Sequence, residues 1–157
     1  MHKGIKLLTT TLLCIAFVMI ARPISAHEGH DHTVLPAGFE KTTVASGFSG
    51  PTDFTFTPDG RIFVLEKGGA VKVVKNGAVL GAPLLTVPAA TNTEQGLLGI
   101  ALDPAFTSNG YMYLYYTRNS PLEIRISRFT VTCDTAALSS ETVLLRSTQP
   151  LGPVHHS

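Results

Sequence analysis

Two stretches of the chain repeat one another. Phe54-Thr-Phe-Thr-Pro58-Asp-Gly60-Arg-Ile-Phe-Val64 is followed by Ile100-Ala-Leu-Asp-Pro104-Ala-Phe-Thr-Ser-Asn-Gly110-Tyr-Met-Tyr-Leu114, the second copy with the longer turn. Pro58 and Pro104 stand 46 positions apart. A period of about 40 to 50 residues built from short strands marks the blades of a β-propeller. Each blade is a small twisted sheet that cannot bury both faces alone, so its apolar surface is satisfied only by the blades on either side.

The intervening sequence agrees with an all-β chain. From Phe39 onward it consists of short β-type segments separated by Gly, Pro, Asn and Asp, and no window has a helical period. The expected strands are Phe39–Val44, Phe54–Thr57, Ile62–Leu65, Val71–Val74, Leu97–Leu102, Tyr111–Tyr116, Ile124–Val131 and Thr142–Leu145. Pro58-Asp59-Gly60 and Asn76-Gly77 supply turns, because Gly tolerates the positive φ of tight hairpins. In Ile124–Val131 the apolar positions 124 and 126 give way to 129 and 131, which predicts a β-bulge around Ser127-Arg128. Leu84–Val87 fits no strand cleanly, since Pro83 and Pro88 bracket it and proline cannot donate to a ladder.

Lys3 and Lys6 precede an apolar run from Leu7 to Ala21, and Ile24-Ser25-Ala26 ends the polar stretch behind it. That order is a signal peptide with cleavage expected after Ala26, which implies a secreted or periplasmic protein. The competing reading is a membrane anchor, but the run is short of the ~20 apolar residues a span wants, and Arg22-Pro23 follows it directly. Cleavage leaves nine Lys and Arg against 11 Asp and Glu, with no long block of like charge. Neither a nucleic-acid surface nor a polybasic membrane patch is expected. Cys14 falls inside the signal, behind Leu12 and Leu13, which are too bulky for a lipoprotein cleavage box. Cys133 is then a single mature thiol, expected to be buried and inert rather than paired outside the chain.

Residues 27–36 form a polar leader without periodicity. His27, His30 and His32, with Glu28 and Asp31, carry the donor types that suit Zn²⁺ or Cu²⁺. The alternative is a solvated tail, because a flexible tract loses entropy on closing around an ion.

Four runs together resemble a known family: Leu35-Pro-Ala-Gly-Phe-Glu40, Pro51-Thr-Asp53, Pro58-Asp-Gly-Arg-Ile-Phe-Val64 and Gly96-Leu-Leu-Gly-Ile-Ala-Leu-Asp-Pro104. The chain is similar, from about Leu35 to Ser157, to the soluble PQQ-dependent glucose and aldose sugar dehydrogenases, the glucose/sorbosone dehydrogenase family. The most specific element is Glu94-Gln95-Gly96-Leu97-Leu98-Gly99 with Asp103-Pro104 and Asn109-Gly110-Tyr111. The resemblance implies a six-bladed propeller that binds pyrroloquinoline quinone (PQQ) and Ca²⁺, oxidises the anomeric hydroxyl of an aldose sugar to a lactone, and passes electrons to an acceptor. It implies cofactor contacts at Glu94 and Gln95 and a catalytic base at His155, with His156 the alternative if the register differs by one. Imidazole suits that role because its unperturbed pKa of about 6.5 leaves it largely neutral at working pH. Glu94 stands where the glucose-specific branch carries glutamine, and Val154 where it carries aspartate, which points to the broader aldose or sorbosone branch. The implied calcium ligands fall on no residue of this chain. On this reading the chain holds the first two to three blades of a longer parent and is inactive alone.

Two other functions fit the same residues. A propeller of this kind can be a non-enzymatic module binding a protein or glycan, because a fold does not fix a function. A His-rich metal carrier built on residues 27–32 is the third.

Overall fold

The computed structural model describes residues 35–147. The signal over residues 1–26, the histidines of the leader and the His155–His156 pair lie outside the described residues. The chain divides into a unit Met1–Glu40 and a unit Lys41–Ser157. In the first, the described Leu35–Glu40 makes a turn in which Phe39 N–H donates to the Pro36 carbonyl.

The second unit carries two antiparallel sheets. The first runs β1 (Pro51–Phe56), β2 (Ile62–Glu66) and β3 (Ala70–Lys75), with β4 (Ala78–Val79) and β5 (Leu85–Thr86) both on the free edge of β3. The second runs β6 (Leu97–Leu102), β7 (Tyr111–Asn119) and β8 (Leu122–Thr132), with β9 (Thr135–Ala136) and β10 (Thr142–Arg146) both on the free edge of β8. Each sheet is therefore a four-stranded meander whose outermost strand is broken into two pieces, the signature of two successive propeller blades. The break explains Leu84–Val87: Val74 pairs Val79 and Val71 pairs Leu85. Pro83, which has no N–H to give, sits in the gap between β4 and β5.

The two turns of the sequence repeat sit at equivalent corners, and Gly60 (φ 83°) and Gly110 (φ 66°) both take the left-handed conformation that a side chain would resist. At the longer turn a four-residue helix α1 (Phe106–Asn109) is inserted, and the Asp103 carboxylate ties the loop together. Its Oδ1 accepts from Ala105 N–H and Asn109 Nδ2, each at 2.9 Å, and its Oδ2 accepts from the Tyr113 hydroxyl at 2.6 Å.

The core lies between the sheets. Phe63, Leu65, Val71 and Val73 project from one face of the first sheet, and Leu97, Met112, Leu114, Tyr116, Phe129 and Val131 from the opposing face of the second. Phe63 and Phe106 meet edge to face with centroids 6.2 Å apart. The edge strands β1 and β6 are clamped to each other: Thr52 Oγ1 donates to the Leu97 carbonyl at 2.7 Å, and Ile100 N–H donates to Asp53 Oδ2 at 3.1 Å.

Three expectations are corrected. Phe39–Val44 forms no strand, because among the described residues no neighbouring backbone pairs with it and β-propensity without a partner does not make a ladder. Cys133 is exposed rather than buried, since it occupies the two-residue β8–β9 turn at φ 55°. The bulge does not fall in β8, whose pairing with β7 is continuous from Tyr111↔Thr130 to Asn119↔Leu122. It falls in β10, between Val143 and Leu145. Ile124 and Ile126 simply face away from the core, and the inward positions are taken by Arg125 and Ser127, for which partners exist.

Candidate functional site

Antiparallel order sorts the connections to two ends of the sheets. The turns at 57–61, 76–77, 103–110 and 133–134 lie at one end; the β2–β3 turn, residues 88–96 and the β7–β8 turn lie at the other. The sequence-predicted cofactor residues belong to the second end.

The segment Asn92–Gly96 is held from several sides. Lys67 Nζ donates to the Thr93 carbonyl at 2.5 Å, Gln95 N–H donates to the Asn92 carbonyl at 2.8 Å, and Thr117 N–H donates to the Gly96 carbonyl at 2.9 Å. Leu97 N–H donates to the Lys67 carbonyl at 3.1 Å. Lys67 runs so close to the segment that a β-carbon at Gly96 would lie 2.8 Å from its Cγ and 3.2 Å from its carbonyl oxygen. Glycine is required there by proximity alone. Thr93 takes φ 46°, a genuine outlier for a β-branched residue. Strain of this kind persists only where the surroundings over-determine it.

Glu94 and Gln95 part company at this point. Glu94 is exposed, whereas Gln95 is 5% exposed, and its Oε1 is buried with no hydrogen-bond partner among the described residues. An unmet buried acceptor costs roughly 1–3 kcal/mol. The sequence alone does not bring Lys67 to this segment; the signal that was available is the glycine at 96. His155 lies outside the described residues.

A cavity of about 670 Å³ lies at the opposite end, between the turn Pro58–Arg61, helix α1 and Cys133. Its charges already neutralise one another. Arg61 Nε donates to both Asp59 oxygens at 3.0 Å, and its NH1 reaches Asp134 Oδ1 at 2.9 Å and the Cys133 carbonyl. Lys75 completes the cluster at 2.7 Å from Asp134. The hydrogen bonds from Arg61 and then Thr57 hold the Asp59 carboxyl well below the usual range, and those from Lys75 and then Arg61 hold Asp134 down. This cluster ties the two blades together and leaves no unmet charge for a ligand.

A second polar cluster, missed from sequence, lies on the buried face of the second sheet. Glu141 Oε1 accepts from the Tyr116 hydroxyl at 2.6 Å, the Ser127 hydroxyl at 2.7 Å and Arg125 NH1 at 3.1 Å, while Arg125 Nε donates to Glu123 at 2.5 Å. Burial by itself raises the Glu141 pKa, but the three donors outweigh it and the net shift is downward. The Tyr116 hydroxyl is pushed up, by burial first and by Glu141 second. Every group is paired, so the cluster is structural. Among the described residues no set of three or more His, Cys, Asp or Glu stands ready for a metal ion.

Comparison with known proteins gives this arrangement its context. Residues 48–157 match the family model of the Glucose / Sorbosone dehydrogenases. The PQQ-bound aldose sugar dehydrogenase from Streptomyces coelicolor superposes with a TM-score of 0.60 at 27% identity, over 73% of this chain and 35% of that one. The apo-form soluble aldose sugar dehydrogenase from Escherichia coli gives 0.60 at 21% identity, over 69% of this chain and 33% of that one, a likeness of fold. The human Hedgehog-interacting protein is 34% identical over 85 residues, 48% of this chain and 12% of that protein. The chain thus spans about a third of the solved structures it matches and a smaller part of that curated relative. It belongs to the glucose/sorbosone dehydrogenase family.

Proposed function

We propose that this chain is the N-terminal portion of an exported, PQQ-dependent dehydrogenase that oxidises the anomeric hydroxyl of aldose sugars to lactones, and that these two blades alone are inactive. The observation that carries the reading is the superposition on the PQQ-bound relative together with the unmet buried acceptor of Gln95.

The residues present fit one edge of such a cofactor. PQQ carries a pyrrole N–H and three carboxylates, so Gln95 has both an acceptor for the first and an amide donor for the second, and Lys67 is the cation nearest the segment in the chain's own hydrogen bonding. Glu94, exposed at the rim beside Gln95, is the second cofactor contact of this reading. When bound, the quinone supplies the two-electron oxidation. The chain's own contribution is to orient the cofactor through Gln95 and, through His155, to take the proton of the anomeric hydroxyl at a neutral imidazole nitrogen. Calcium and the electron acceptor belong to the same reading of the whole protein. The apolar run and small-residue site ending at Ala26 support export.

The test is to express the protein with whatever sequence its reading frame encodes beyond Ser157, load it with PQQ and Ca²⁺, and follow dye reduction with a panel of aldoses. Activity abolished by His155→Ala and retained in His156→Ala supports the reading and the base together. A folded protein that reduces no dye with any aldose overturns it.

The second reading, a non-catalytic propeller that binds a protein or glycan, is favoured by one observation: over its 85 aligned residues the chain is 34% identical to the Hedgehog-interacting protein. It predicts that the folded protein neither binds PQQ nor loses anything on His155→Ala.

A further inference from the structure

Gln95 sits between two grips that belong to one residue. Upstream of it, Asn92–Gln95 is a β-turn closed by Gln95 N–H on the Asn92 carbonyl at 2.8 Å, and Thr93 fills its second position at φ 46°. Positive φ at that position marks the primed turns, where Gly, Asn or Asp is usual and a β-branched residue is strained. The bond that closes the turn engages residues 92 and 95 and leaves the Thr93 carbonyl, on the central peptide, to other partners; Lys67 Nζ donates to it at 2.5 Å. Downstream, Leu97 N–H donates to the carbonyl of the same Lys67 at 3.1 Å, and the lysine stem lies where a β-carbon on Gly96 would collide with it. Lys67 is in turn fixed through its own backbone. Its N–H donates to the Gly50 carbonyl at 2.9 Å, and Glu66 Oε1 accepts from Ser49 N–H at 2.8 Å. Gly69, at φ 105°, is packed so tightly on Val87 that a β-carbon there would come within 2.2 Å of the Val87 carbonyl oxygen. The β2–β3 turn is thus a fixed mount, and the lysine side chain is the arm it extends to the 92–95 turn.

We propose that Lys67 is a positioning residue for the cofactor edge: by holding the Thr93 carbonyl it keeps the Asn92–Gln95 turn in its strained form, and so keeps the Gln95 side chain buried, with Oε1 open to the cofactor's donor. The inference rests on the cofactor reading of Gln95 given above. An ammonium–carbonyl bond is charge-assisted and stronger than the neutral bond that closes the turn, and backbone strain persists only under such constraint. Without the ammonium the central peptide is released to rotate and Thr93 relaxes towards negative φ. The Gln95 amide then turns away, because an unmet buried acceptor gains from any rearrangement that hydrates it. Lys67 therefore acts through Gln95 rather than as a counter-charge to the cofactor's carboxylates.

The test uses the protein with whatever its reading frame encodes beyond Ser157, first without cofactor. Lys67→Met keeps the stem and loses the donor. In it, endoproteinase Glu-C is expected to cut the bond after Glu94 about tenfold faster or more than in the wild type, read by mass spectrometry, because cleavage tracks the population of the opened segment. Calorimetric titration with PQQ is expected to show affinity down about tenfold or more in Lys67→Met and restored to within about threefold in Lys67→Arg, which keeps a charge-assisted donor. In a Gln95→Leu background, Lys67→Met is expected to change the affinity by less than about threefold, since two residues acting through one contact do not add. If Lys67→Met loses the wild-type circular dichroism, Lys67→Gln takes its place. A folded Lys67→Met protein that binds PQQ as tightly as the wild type overturns the inference and leaves the cofactor reading standing. Full additivity with Gln95→Leu does the same, making Lys67 a direct contact of the cofactor. Unchanged cleavage after Glu94 overturns the inference too, whereas a wild type that binds no PQQ overturns the cofactor reading and this inference with it.

Discussion

The two sheets share one architecture and differ in what their faces carry. The first presents Phe63, Leu65, Val71 and Val73 to the core, with Asp53 and Thr55 of β1 at the margin of the same face, while the second places Arg125 and Ser127 among its buried residues and satisfies them through Tyr116, Glu141 and Glu123. At the position of Ser127 in the ladder the first sheet carries Lys72, which faces outward. A blade repeat thus prescribes strand order and turn position. It leaves open how the covered side is satisfied, by dispersion in one sheet and by a closed ionic network in the other.

The difference is sharpest under core truncation. Phe63→Ala, fully buried against Phe106 and the facing sheet, is expected to cost about 3–5 kcal/mol, enough to abolish a cooperative urea transition in a unit this small; Phe54→Ala, on the open face, is expected to move the transition by less than about 0.5 kcal/mol. Equal losses would mean that the outer face is covered in the isolated chain.

Next comes the ionic network. Glu141→Ala leaves the Arg125 guanidinium, Tyr116 and Ser127 short of an acceptor and is expected to cost about 3 kcal/mol. The same network gives the second sheet an acid sensitivity. Glu141 is held below its ordinary pKa of 4.5 in the folded state, so its contribution is complete above about 4.5 and drains away as pH falls through the lower folded value. Urea midpoints measured from pH 6 downward should fall below about pH 4.5 in the wild type and fall less steeply in Glu141→Gln.

A smaller effect is expected at the clamp between the sheets. Thr52→Val removes the hydroxyl that holds the Leu97 carbonyl and should cost about 1 kcal/mol, read from the same transition.

Most of the strand pattern could be read from the residues because the repeat and the turn glycines are local. Leu97–Leu102 appears with the bounds expected, and the others differ by a few residues at their ends. The misreadings have long-range causes. Phe39–Val44 alternates like a strand but has no ladder partner among the described residues. Residue type places Cys133 inside, yet a two-residue turn decides its exposure. Arg125 and Ser127 looked like outward residues demanding a bulge, and only Glu141, 14 and 16 positions on, shows why they can point inward. At the candidate site the Glu94-Gln95-Gly96 motif singled out the segment from resemblance. That Gln95 is the buried member with the unmet oxygen, and that Lys67 is what forces glycine at 96, are facts of tertiary approach.

The most direct test of the cofactor reading is PQQ binding by the protein carrying Gln95→Leu, measured beside its stability. If the buried oxygen of Gln95 serves the cofactor, the urea midpoint is unchanged or higher by about 1 kcal/mol, because an unmet polar group has been removed, while PQQ affinity falls about tenfold or more. A variant that loses stability and keeps its PQQ affinity would contradict the account and make Gln95 a structural residue of the blade.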